Sequence, residues 1–264
     1  MLATRMSKKT IVILSALALV GLIGAIVLYK CRFVSNPWNV STLGEIPTPA
    51  GYERVSYEGD AYVAFLRGLP LKPRGAKVQL YTGGDAKYQF LSAGVIDWPV
   101  LSNSEQCADM TMRIRAEFLW QSGQYDKIKF RDVNNKWHPY KGGSSRKALE
   151  QYLKEMYGCC STFSVFHETN ARAIQEVRPG DVLVYPARPG KSMGHAVLVA
   201  DVARNASGKI LILCVEGNTP ACEAHVVRNH NPFRNPWFVL NEGDGVIRVS
   251  VFKFLTDELR YYSN

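Results

Sequence analysis

Four side chains of this 264-residue chain have the types and spacing that acyl-transfer chemistry needs: Cys107, His195, Glu216 and Asn218. His195 follows Gly194 at the start of a short apolar run, HAVLVADVA, which reads as a buried strand. A histidine there stands at a sheet end, where a side chain can meet a cleft. The next run, KILILCVEGN, ends with Glu216 and Asn218, two residues apart and so on one face of a strand. Antiparallel pairing through the RNASGK turn at 204–209 would bring that end to the edge that holds His195. A histidine oriented by a polar partner is half of a nucleophilic site.

The other half is Cys107. Cys107, Met110, Ile114 and Phe118 recur at helical spacing, so the cysteine belongs in the first or second turn of a helix, on its buried face. Ser102 with Glu105 is a candidate capping box, and Ser104 is a second candidate N-cap. The orphan N–H groups and the dipole at a helix start stabilise a thiolate. Taken singly, Cys107 also fits a small buried thiol and His195 a satisfied core histidine. Their joint order along the chain, Cys on a helix, then His, then Glu or Asn on successive strands, favours a site.

That order, with Gly180-Asp181 opening the strand before Gly194-His195 and E-x-N closing the next, resembles the NlpC-type and CHAP-type branches of the papain-like superfamily. The pieces IPTPAGYERV, AFLRGLPLKP, QCADMTMRIRAEFLW, GHAVLVADV and ILCVEGNTPACEAHVVRN are similar to a bacterial family catalogued as domain of unknown function 4846. The first likeness implies a thiol nucleophile at Cys107, a base at His195 and an orienting group at Glu216 or Asn218. It also implies an α+β, papain-like fold, an antiparallel sheet packed by the cysteine-bearing helix. The strands would be 181–186, 195–203 and 209–216.

The elements around these residues read as follows. KVQLYTGG (77–84), AGVIDWPVL (93–101) and YDKIKFRDV (125–133) look like strands, and WHPYKGGSSR (137–146) like a loop. SRKALEQYLKEMYG is an amphipathic helix stopped by Gly158. A further helix, capped near Thr169 or Asn170, would lead into the strand at 181. AHVVRN reads as a strand, NPFRNPWF as a loop walling the cleft, VIRVSVFKF as one last strand and DELRYYSN as a tail.

Composition narrows the function classes. Hydrophobic residues make up 47% and charged residues 21%, a globular balance. The net charge of +9 is uneven: residues 1–32 carry five basic residues and no acid, and the other 27 basic and 23 acidic residues leave +4. No basic stretch interleaves with aromatics, so a nucleic-acid partner is not expected. Gly83-Gly84 is too short for a phosphate loop, and no cofactor is expected. Cys222, His225 and His230 match none of the strong zinc spacings, and no metal is expected.

Residues 11–29, IVILSALALVGLIGAIVLY, carry no charge and are about as long as the ~20 residues a membrane-spanning helix needs. The expected layout is a cytoplasmic segment 1–10, a signal anchor 11–29, a linker 30–50 rich in proline, and one domain at 51–264 on the extracytoplasmic side of the cell membrane. The six cysteines are 31, 107, 159, 160, 214 and 222; Cys214 and Cys222 flank the EGN turn as candidates for a disulfide staple. The function expected from these readings is a membrane-anchored cysteine amidohydrolase or peptidase acting on cell-wall peptide. The competing reading is a membrane-tethered binding or structural module with the same fold. Gln106, where NlpC-type enzymes carry Asp before the cysteine, and the lack of an upstream oxyanion donor point to that second reading.

Overall fold

The computed structural model describes residues 15, 17, 19–21, 33–188, 193–240, 243 and 245–263. The chain divides into two units, Met1–Val34 and Ser35–Asn264. Most of the expected span at 11–29, and Cys31, lie outside the described residues. Among the described residues no helix is long and apolar enough to cross a membrane.

The second unit is a mixed α+β structure. In chain order its elements are β1 (Tyr52–Arg54), α1 (Ala61–Arg67), β2 (Ser92–Val95), α2 (Cys107–Gln121), β3 (Lys129–Arg131) and β4 (Trp137–Pro139). Then come α3 (Arg146–Tyr157), α4 (Thr162–Glu168), β5 (Asn170–Ala171), β6 (Val182–Tyr185), β7 (His195–Asn205) and β8 (Ile210–Glu216). The last are β9 (His225–Val227), β10 (Trp237–Leu240), β11 (Val246–Val249), β12 (Phe252–Leu255) and β13 (Leu259–Tyr261). Nine strands form one antiparallel sheet in the order β2-β9-β8-β7-β6-β13-β5, with β1 also on β7 and β10 also on β8.

The central strands are long apolar runs because both their faces are covered. Ala196, Leu198, Leu211, Leu213 and Val215 pack in one core with Met110, Met112 and Ile114 of α2. The alternate residues Val197, Val199, Ile210, Ile212 and Cys214 pack in a second core with Ile247, Val249 and Phe254 of the β11–β12 hairpin. The period-two alternation of strands divides the two cores. α2 itself is buried nearly all round, charged residues included: Arg113 reaches Glu105 at 2.8 Å, and Glu117 accepts from Arg146.

A buried charge fixes where β1 and α1 sit. Asp201 is fully buried where the β7–β8 register shifts, and Arg54 of β1 and Arg67 of α1 both bind its carboxylate. The stretch read as a linker is folded from Ser35 on: Leu43 and Ile46 are fully buried, and the Glu45 carboxylate accepts the Ser41 and Thr42 N–H groups.

Several peripheral expectations are corrected. Residues 77–84 form isolated bridges, Gln79 with Asp85 and Leu80 with Cys222, rather than a strand. Residues 125–127 are a 3-10 turn before β3, and Trp137–Pro139 pairs with β3 instead of looping. α4 is capped by Ser161, whose hydroxyl accepts the Phe163 N–H, and stops short of Thr169, where a helix start is expected from the sequence. Thr169 does end in a cap-like bond, but its hydroxyl turns back to the Val165 carbonyl. The run 246–254 is a hairpin because Ser250 adopts φ +52°, and the tail contributes β13. Cys214 and Cys222 are both free thiols, as are Cys159 and Cys160.

Candidate active site

β6, β7, β8 and β9 are consecutive neighbours, and the site lies at one end of them. His195 is the first residue of β7, Glu216 the last of β8 and His225 the first of β9. Parity places all three on the face that the β11–β12 hairpin covers, the face of Val197, Val199, Cys214 and Val227. Glu216 is directly opposite His225 across the β8–β9 ladder.

Glu216 is fully buried, and its two oxygens serve two imidazoles. Oε2 is 3.0 Å from His195 Nε2, and Oε1 is 3.4 Å from His225 Nε2. The first contact is a hydrogen bond; the second is an ion pair that lacks hydrogen-bond geometry. Burial pushes the Glu216 carboxyl up, but hydrogen bonds and charge from the two histidines outweigh it and hold the group at about 2. Burial opposes charge on His195 as well. Hydrogen bonds to Cys107 and Glu216, and their negative charges, nevertheless raise it to about 9. A buried ion pair of this kind stays charged because each partner neutralises the other.

Cys107 is the first residue of α2 and 8% exposed, and it lies close enough to the His195 ring to raise that ring's pKa. With Nε2 engaged by Glu216, Nδ1 is the nitrogen left for the thiol. The cap differs from the expected Ser102–Glu105 box. Gln106 occupies the N-cap, and its N–H donates to Asp109 Oδ2 at 2.9 Å. Glu105 turns away, accepting from Leu101 N–H and from Arg113. As the first helical residue, Cys107 has an N–H that the helix ladder does not use.

Two details hold His195 in place. Phe252 stacks on its ring, with centroids 3.6 Å apart and planes 17° from parallel. Gly194 lets β7 begin against α4, since a Cβ there would collide with Thr162 Oγ1 and the Tyr185 carbonyl. The Gly180-Asp181 pair, by contrast, serves the fold. Gly180 sits at φ +97° against the Tyr62 ring, and Asp181 binds Arg172 and the Arg178 N–H.

Asn218 does not join the constellation. β8 ends at Glu216, so strand alternation no longer carries Asn218 to the same face; its side chain accepts the Thr219 N–H instead. Of the two, Glu216 is the residue hydrogen-bonded to His195. Among the described residues no cluster of three or more His, Cys, Asp and Glu could hold a metal, and His230 packs near Phe90. The loop at 232–236 does not line the cleft.

Cys107 lines an open cleft of about 510 Å³, together with Asp109, Tyr157, Thr162, Gly194 and Thr219. Among the described residues, Asp109 Oδ1 and the Tyr157 hydroxyl are buried without a hydrogen-bond partner. Burial pushes the Asp109 carboxyl up to about 7, against the hydrogen bond from Gln106. Sequence reasoning weighed His225 only as a metal ligand and missed Asp109, Tyr157 and Phe252. A signal existed for Asp109, two residues after the cysteine at a helix start. None existed for Phe252, which comes from a hairpin read as one strand.

The arrangement of a thiol at a helix start, an imidazole beside it and a buried carboxylate behind the imidazole suits nucleophilic attack on a carbonyl followed by proton delivery. No curated protein and no solved structure matches the chain. Neither comparison supports the NlpC and CHAP likeness. The model of one family, described as Domain of unknown function (4846), matches residues 43–142 and 131–261, and the chain belongs to that family.

Proposed function

We propose that this chain is a papain-like cysteine amidohydrolase or peptidase, anchored to the cell membrane by its N-terminal segment and acting outside it on cell-wall peptide. One observation carries the reading: Cys107 and Gly194 line one cleft, and His195, the residue after Gly194, is hydrogen-bonded to the buried Glu216. Cys107 Sγ attacks the amide carbonyl carbon, and the carbonyl oxygen takes up negative charge near the free N–H of Cys107. His195 gives its proton to the departing amine as the C–N bond breaks. Water then adds to the thioester while His195 takes its proton, and the acid leaves with Cys107 restored. Glu216 keeps the imidazole in one tautomer and stabilises its charged form.

Support for the substrate class is of two kinds. The uncharged run 11–29 favours a membrane anchor and so an extracytoplasmic site. The unpartnered Asp109 and Tyr157 atoms in the cleft suit a polar peptide. The test is acid-quench trapping. The full chain is mixed with cell-wall stem peptides, quenched, and analysed by peptide mass. An acyl adduct on Cys107 that forms in the native protein and is absent in Cys107→Ser supports the reading. Turnover of the same peptides without any adduct, or undiminished in Cys107→Ser, contradicts it.

A further inference from the structure

Behind Glu216 the relay continues to a second imidazole. β9 runs between β8 and β2, so its first residue, His225, lies opposite Glu216 on one side and Val95 on the other. Residues directly opposite in a ladder carry their side chains on one face, close enough to interact. Two contacts fix the buried His225 ring. Nδ1 lies 3.0 Å from the Glu223 carbonyl, and Nε2 lies 3.4 Å from Glu216 Oε1. The Glu223 carboxylate is engaged elsewhere, by Lys72 and the Gln79 N–H.

These contacts decide the charge of the ring. A carbonyl oxygen only accepts, so Nδ1 carries a proton. Nε2 faces an oxygen of a buried carboxylate, and a bare nitrogen there would set lone pair against lone pair. Both nitrogens therefore carry protons, and the ring is a cation. Burial opposes that charge, but hydrogen bonds and negative charge from Cys222 and Glu216 outweigh it and raise His225 to about 10. Lys87, Tyr88 and Cys222 are the other titratable groups of the pocket that His225 borders. Glu216 thus stands between two imidazoles: His195, next to Gly194 of the catalytic cleft, and His225, which does not line that cleft.

We propose that His225 is a positioning residue for the reaction: it holds Glu216 against His195 and, as a fixed cation, limits how strongly that carboxylate binds the His195 proton. The role presupposes that Cys107 and His195 are the reacting pair; the charge arrangement does not. A buried carboxylate serving His195 alone would bind its proton too tightly. The imidazolium would then be a weak acid toward a departing amine, and the ring would seldom be neutral to take a proton from water. A second cation on the other carboxylate oxygen offsets that pull, because charges in a poorly solvated site act on one another strongly.

The experiment is an NMR titration of the full chain with isotope-labelled histidine, carrying Cys107→Ser, with and without His225→Gln. Without the thiol the readout does not depend on turnover, so a failure of the hydrolase reading and a failure of this role give different results. The His195 signals are assigned by their loss in His195→Ala. Glutamine keeps an N–H donor toward Glu216 and removes the charge. The expected result is that His195 titrates about one pH unit higher in the His225→Gln chain, because its carboxylate is no longer shared. Mere loosening of the fold would move His195 the other way, toward its ordinary value of 6.5. An unchanged or lowered His195 titration would overturn the proposal. Where His225→Gln fails to fold, the chain with His225 intact decides: the ring should carry protons on both nitrogens at neutral pH, and a bare nitrogen there would overturn the proposal as well.

Discussion

Replacing Cys107 with alanine is expected to cut turnover of an amide substrate by about 10⁴-fold or more while the protein stays folded. The size follows from what is lost: the atom that forms the covalent intermediate, for which neither His195 nor Glu216 substitutes. Stability should change little, since only a sulfur at the rim of the cleft is removed and the helix keeps its N-cap at Gln106. Kinetics with the cell-wall peptide and a thermal melt, measured on the same preparation, separate the two effects. Turnover that survives in a folded Cys107→Ala protein would move the chemistry elsewhere.

Glu216→Gln carries the second largest effect, and it falls on stability as well as rate. Removing the negative charge leaves two buried imidazoles facing each other across a neutral amide. Breaking a buried ion pair in this way costs about 3–5 kcal/mol. The pH dependence has a definite sign. Glu216 is held at about 2, below its ordinary value of 4.5, so its contribution is present above pH 4.5 and is lost as pH falls toward 2. His195 and His225 are raised from 6.5 to about 9 and about 10, so theirs is complete below pH 6.5 and is lost as pH climbs through those values. The wild-type cluster should therefore stabilise the fold most between pH 4.5 and 6.5. In Glu216→Gln the melting temperature should be lower throughout that window and flatter with pH. Parallel wild-type and mutant curves would show that Glu216 does not hold the histidines charged.

How much of this was legible in the sequence differs by region. The three central strands were readable because burial on both faces makes them unbroken apolar runs, and the RNASGK turn leaves antiparallel pairing as the short connection. That also brought His195 and Glu216 to one edge. α2 was readable from the spacing of Cys107, Met110 and Ile114, although its charged residues are buried in pairs that no pattern announces. Asn218 was assigned to the Glu216 face by extending strand alternation two residues past the strand's end. His225 looked like a weak metal ligand because its role depends on lying opposite Glu216 in the ladder, a register that sequence does not specify. Phe252 was hidden by the turn at Ser250, where a non-glycine residue with positive φ folds one apparent strand into two.

The central claim is that His195 activates Cys107, and iodoacetamide labelling of the intact chain at neutral pH tests it most directly. Rates for each cysteine are read by peptide mass in the wild type and in His195→Ala. The account predicts that Cys107 is labelled faster than Cys159, Cys160 and Cys214, and that this advantage disappears in His195→Ala. A Cys107 that labels no faster than those three, or that is indifferent to the loss of His195, would contradict it.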